Sequence, residues 1–138
     1  MISPTFALLL TLLVQQVADP RDVCQEPVFT PLEVRPEIRD LSLAVSIVIR
    51  HYKESLAGEG KSGRVLVWLC IDEEGKLRNY KLATSSGDTE IDEVGIRAAV
   101  EIAEKVGFTP ALNRGRPVTV WIHQPISFTV RDVRAVRP

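Results

Sequence analysis

From Glu37 onward apolar residues fall at three- and four-residue intervals, at Ile38, Leu41, Val45, Val48, Tyr52 and Leu56. That spacing puts them on one face and predicts a helix from Glu37, ended by Gly58 and Gly60. After Ser62 and Gly63 the pattern changes to a β-branched and aromatic run, Val65 to Ile71, which predicts a strand. Asp72-Glu73-Glu74-Gly75 reads as a tight connection, with Gly75 supplying the positive φ of a hairpin loop, to a second strand through Leu82 and Thr84. Thr89 followed by Asp92 predicts the capped start of a second helix, whose buried stripe is Ile91, Val94, Ala98 and Ile102 and whose end is marked by Gly107 and Pro110. The last apolar run, Val118 to Val130, predicts a third strand. Pro125 inside it cannot donate to a ladder, so that strand is expected at a sheet edge or bulged.

A helix, a hairpin, a helix and a final strand predict an α+β fold, a sheet of about three antiparallel strands with two helices packed on one face. This domain is expected over residues 37–130. Ahead of it, residues 19–36 carry Pro20, Pro27, Pro31 and Pro36 and read as an extended arm. Residues 1–18 contain the apolar run Phe6 to Val14, shorter than the roughly 20 residues a membrane span needs, and read as a signal peptide with Ala18 as a candidate cleavage residue, or as a short hydrophobic leader. Residues 131–138 form a basic tail with Arg131, Arg134 and Arg137. A periplasmic or secreted location is expected, and an inner-membrane anchor facing the periplasm is the alternative.

Composition narrows the function classes. With 45% hydrophobic and 25% charged residues in a chain of 138, one globular core is expected. The 17 basic and 18 acidic side chains nearly cancel, so no field holds nucleic acid. Arg114 and Arg116 have no aromatic residues interleaved and read as solvated loop charges. The two cysteines, Cys24 and Cys70, can form one disulfide tying the arm to the sheet if the chain is exported, or remain as two thiols.

Convergent reactive groups are scarce. His51 and His123 lie on a helix and a strand with no metal-ligand spacing, and Ser85-Ser86-Gly87 reads as turn chemistry rather than a nucleophile motif. Asp72, Glu73 and Glu74 offer too few oxygen donors for calcium. No enzyme activity, cofactor or metal is expected; an envelope hydrolase built from distant residues is the weakest of three function classes. Trp68 and Trp121 are expected to pack on the helices or across the sheet face.

Three signatures recur in order: Gly63-Arg64-Val65-Leu66-Val67 leading to Asp72-Glu73-Glu74-Gly75-Lys76, Ser85-Ser86-Gly87 running into Ile91-Asp92-Glu93, and Phe108-Thr109-Pro110-Ala111 followed by Gly115-Arg116-Pro117-Val118 and Gln124-Pro125-Ile126-Ser127-Phe128. Together, with Phe29-Thr30-Pro31 and Arg35-Pro36 as a lead-in, they resemble the C-terminal domain of the TonB family of energy transducers over residues 27–130. The resemblance implies an envelope protein-binding module that takes a segment of a TonB-dependent outer-membrane receptor, or of another partner, as an extra strand beside its last strand. The implied contacts are the backbone of Val118, Thr119, Val120, Trp121, Ile122 and His123, with the Trp121 and His123 side chains flanking. The alternative at that edge is a cap formed by the arm at residues 27–35. In the family an inner-membrane motor, ExbB/ExbD, drives the coupling. Arg35-Pro36 stands where the family has Tyr-Pro, and no long proline-rich spacer is present, so ExbB/ExbD contact is not expected. The second function class is a self-associating assembly domain, in which the same edge pairs with another copy to make a homodimer.

Overall fold

The computed structural model describes residues 24–129. The expected leader, the start of the arm with Pro20, the basic tail and Val130 lie outside the described residues. Helix α1 spans Leu41–Ser55 and α2 spans Thr89–Glu101; the strands are β1 Gly63–Ile71, β2 Leu77–Thr84, β3 Ala111–Asn113, β4 Arg116–Val118 and β5 Val120–Phe128. β1 is the centre of a three-stranded antiparallel sheet of order β2-β1-β5, and β3 with β4 forms a separate hairpin. The α+β architecture expected from the sequence is present, with the helices on one face of the sheet.

Alternation along β1 sorts the two faces. Val65, Val67, Leu69 and Ile71 are fully buried under the helices, against Ala44, Ile47, Tyr52 and Leu56 from the α1 side and Ile91, Val94 and Ala98 of α2. All four residues of the stripe expected for the second helix are buried. Its cap differs: Asp88, not Thr89, is the N-cap, its carboxylate accepting from the Glu90 and Ile91 amides. Asp competes well for that position, and it sits one residue earlier.

The first helix also departs from expectation. It starts at Leu41 because Asp40 caps it, accepting from the Leu43 amide, while Ile38 is held extended in a bridge with Phe108. Of the predicted stripe, Tyr52 and Leu56 are buried and Val48 partly so, but Leu41 is 66% and Val45 49% exposed. The face turned to the core runs through Ala44 and Ile47 instead.

The expected single strand from Val118 is two strands. Arg114 and Gly115 both take positive φ, the conformation of a two-residue hairpin turn, and this turn folds Arg116–Val118 back on Ala111–Asn113. Thr119 breaks the chain before β5, so Val118 and Thr119 are not part of the edge strand.

The β1–β2 connection is as expected, with Gly75 at φ 83°. A Cβ there would also stand 1.9 Å from the Phe108 carbonyl oxygen, and the Phe108 amide donates to the Gly75 carbonyl, so the hairpin tip is locked to the segment after α2. Asp72 organises the tip: one oxygen accepts from the Glu74 and Lys76 amides, the other from Arg78 Nε at 2.9 Å.

Candidate functional site: the β5 edge and the arm around it

β5 pairs with β1 from Val120–Ile71 to Phe128–Gly63 without a shift in register, and no other described strand pairs with its far side. Pro125 lies opposite Leu66 inside this unbroken ladder. A proline is accommodated there when its missing donor falls on the outer side, as it can at an edge. Main-chain groups alternate between the two sides of a strand, so those of His123 and Ser127 also turn outward, while Val120, Ile122 and Gln124 bond inward to β1.

Beside this edge runs α1, whose residues Leu41, Val45, Val48 and Ile49 line a groove of about 640 Å3 closed on its other side by Gln124 to Thr129. The α1 sequence places apolar residues at 41, 43, 44, 45, 47, 48 and 49, more than one buried face can use. That surplus signals a second apolar face, which a single buried stripe does not account for. Arg64 is the groove's charged residue.

The other face of the sheet is covered by the arm. Cys24 and Cys70 form a disulfide, and the Asn79 side-chain amide donates to the Cys24 carbonyl at 2.7 Å. From there the arm crosses β1 to β5: the Phe29 ring centroid lies 5.0 Å from Trp68 and 5.3 Å from His123, and Trp68 packs on His123 at 3.8 Å and edge-on to Trp121 at 6.3 Å. Both tryptophans therefore lie on the sheet face opposite the helices. Further on, Val34 exchanges two backbone bonds with Leu112, and Asn113 binds the Glu33 amide and the Pro31 carbonyl. The arm forms no backbone ladder with β5; residues 27–35, the cap expected as the alternative at that edge, pass beside it without pairing with it. A cavity of about 560 Å3 separates it from the edge, lined by Phe29, Leu32, Arg35 and Ile38 on one side and Trp121 to Gln124 on the other.

Of the six residues named from the sequence, Val120, Trp121, Ile122 and His123 are brought together along the edge, and Val118 and Thr119 sit in the neighbouring hairpin and its exit. Their spacing alone concealed the turn at Arg114-Gly115. Phe29, which in the sequence stands only within the lead-in Phe29-Thr30-Pro31, joins the Trp68–His123 cluster.

Two buried carboxylates away from this edge, Asp92 and Asp72, are engaged in structure. Asp92 is buried, and although burial opposes its charge, hydrogen bonds from the Ser85 hydroxyl at 2.5 Å and from the Ser86 hydroxyl and amide hold its pKa below the usual carboxylate range. The Ser85–Ser86 turn is thus tied to α2, both hydroxyls donating to the Asp92 carboxylate. Asp72 is likewise kept low, its amide bonds and Arg78 outweighing burial. Among the described residues no three of His, Cys, Asp and Glu are placed to hold a metal ion, and no helix is long and apolar enough to cross a membrane.

Curated protein sequences contain no significant match to this chain. The family model described as Gram-negative bacterial TonB protein C-terminal matches residues 50–130, from the second half of α1 through β5. The disulfide-linked arm and the start of α1 precede the matched region. A central strand flanked by a hairpin partner and a proline-bearing edge strand, under two helices, is thereby joined to a family match over more than half of the chain, and the protein belongs to the TonB C-terminal domain family.

Proposed function

We propose that the protein is an envelope binding module, not an enzyme, and that it docks an extended segment of a partner by adding it as a strand to the outer edge of β5. The partner class is a TonB-dependent outer-membrane receptor or another envelope protein, and the compartment is the periplasm. The observation that carries this reading is the apolar stripe of exposed Leu41 and Val45 and half-buried Val48 running alongside β5. A strand added there bonds its main chain to the edge and buries alternate side chains against α1, so one segment uses both features. A disulfide accords with an oxidising compartment.

The test is titration with extended segments from the periplasmic side of candidate receptors, read by calorimetry and by amide exchange. Saturable binding that protects the His123 and Ser127 amides is expected, weakened by Val45→Asp, which places a charge in the groove, and by His123→Pro, which removes an outward donor. Binding that ignores both substitutions would overturn the reading. Val120 is unsuitable for this purpose, because it faces Ile71 across the ladder and a proline there would disrupt the sheet.

Self-association is the second reading. β2 is the other edge of the sheet and exposes Tyr80 and Leu82, so a homodimer could form through either edge. A mass independent of concentration in sedimentation removes it.

A further inference from the structure

The arm contacts the open face of the sheet with Phe29, whose ring contacts the strand side chains Trp68 and His123, and it reaches the helix side by Ile38, which packs on the core and bridges Phe108. Between these points it passes the first half of β5. Four consecutive β5 residues, Trp121 to Gln124, line the cavity beneath it, and consecutive residues point their side chains to opposite faces. The cavity therefore lies along the strand's outer edge, and the arm rounds that edge as a strap.

The strap is fastened unequally. From residue 31 onward it is held by Asn113, which binds the Pro31 carbonyl and the Glu33 amide, by the Arg114 amide on the Glu33 carboxylate and by the Val34–Leu112 backbone pair. Before it, the fastenings include the disulfide, the Asn79 bond to Cys24, a Glu26–Lys81 pair at 4.0 Å and the ring contacts of Phe29. Val28 is 53% and Phe29 80% exposed, so little apolar area anchors this stretch. Exposed ion pairs contribute little as well.

We infer that the Cys24–Cys70 disulfide is a redox latch on this strap, and that a protein dithiol opens the first half of the docking edge by reducing it. The inference rests on β5 being the docking edge. Cys70 is fully buried and Cys24 only partly so, which makes Cys24 Sγ the point of attack. One thiolate of the dithiol bonds to Cys24 Sγ, and the Cys24–Cys70 bond breaks to leave the Cys70 thiolate, which takes up a proton. The second thiol of the reductant then displaces Cys24, giving a disulfide in the reductant and two thiols in the protein, a transfer of two electrons and two protons. Residues 24–30 are then free to leave the sheet, while Asn113 and the Val34–Leu112 pair keep the rest in place.

The chain contains two tryptophans, and both lie in the ring cluster beside the strap, so release has an intrinsic signal. The experiment compares the full chain, oxidised and after dithiothreitol, with Cys24→Ser as a variant that needs no reductant. Reduction and the variant are expected to raise amide exchange in residues 25–30 and at His123, and to raise acrylamide quenching of tryptophan several-fold, while α2 amides stay protected on the timescale on which the strap has exchanged. Unchanged exchange and quenching, with two thiols titrated, would overturn the latch. Loss of α2 protection together with the strap would also overturn it, because the disulfide would then hold the whole fold. An alternating valine–threonine peptide is added to both states, and several-fold tighter binding to the reduced form is expected. Equal binding to both forms with the strap released would leave the latch standing and overturn docking at this edge.

Discussion

Gly95 of α2 sits against Val65 of β1 so closely that a Cβ on it would stand 2.1 Å from Val65 Cγ1. The absent side chain sets the distance between helix and sheet, and Phe128 of β5 closes the same contact. Gly95→Ala gains up to about 1 kcal/mol in helix propensity. The overpacking it forces costs about 1–3 kcal/mol, so a net loss is expected. A lowered urea midpoint at unchanged slope checks this, and a raised midpoint would mean that the helix shifts freely on the sheet.

The two faces of α1 separate by mutation. Ile47 is buried and Val45 half exposed, although the periodicity of the sequence assigned Val45 to the core. Ile47→Ala should cost about 2–5 kcal/mol. Val45→Ala should stay within about 0.5 kcal/mol. Thermal unfolding of the two variants decides the matter, and equal losses would place Val45 in the core after all.

Asp92 links the Ser85–Ser86 turn to α2 as a carboxylate accepting from three groups. Its pKa lies below that of the unfolded chain, so its contribution is present above about pH 3.9 and is lost as pH falls through the folded value. Asp92→Asn turns a donor toward the Ser86 amide or loses an acceptor, and is expected to cost about 1–3 kcal/mol at neutral pH. The variant should also show a shallower acid transition in a pH series of urea melts than the parent protein.

His51 on α1 has a buried Nε2 without a hydrogen-bond partner, 3.7 Å from Glu101 Oε2. Burial pushes its pKa down; Glu101 and Glu54 oppose this, and Arg50 and Arg97 reinforce it. The unfolded chain therefore takes up the proton first, and the stability contributed is full above about pH 6.5 and declines as pH falls below it. Urea midpoints at about pH 7.5 and 5.5 should differ in the parent protein and converge in His51→Gln. A midpoint that rises toward the lower pH would show Glu101 prevailing over burial.

Much of this protein was determined locally. The β1–β2 hairpin, the buried stripe of α2 and the edge position signalled by Pro125 follow from period, turn residues and the missing proline donor, all of which act within a few residues and can be read off the chain. The family resemblance rests on those same short signatures, and the match over residues 50–130 agrees with them. What the tertiary structure decided concerns which of several locally equivalent choices meets a distant surface. Ala44 and Ile47, rather than Leu41 and Val45, face the core because the sheet reaches α1 from that side, which leaves the other apolar face beside β5. Cys24 pairs with Cys70 across 46 residues, and Phe29 comes to rest on Trp68 and His123, because the arm crosses a sheet face that alternation alone leaves undistinguished from the other. Helical and strand periods are properties of consecutive residues, whereas the choice of face depends on surfaces brought together by folding, and no spacing along the chain encodes it.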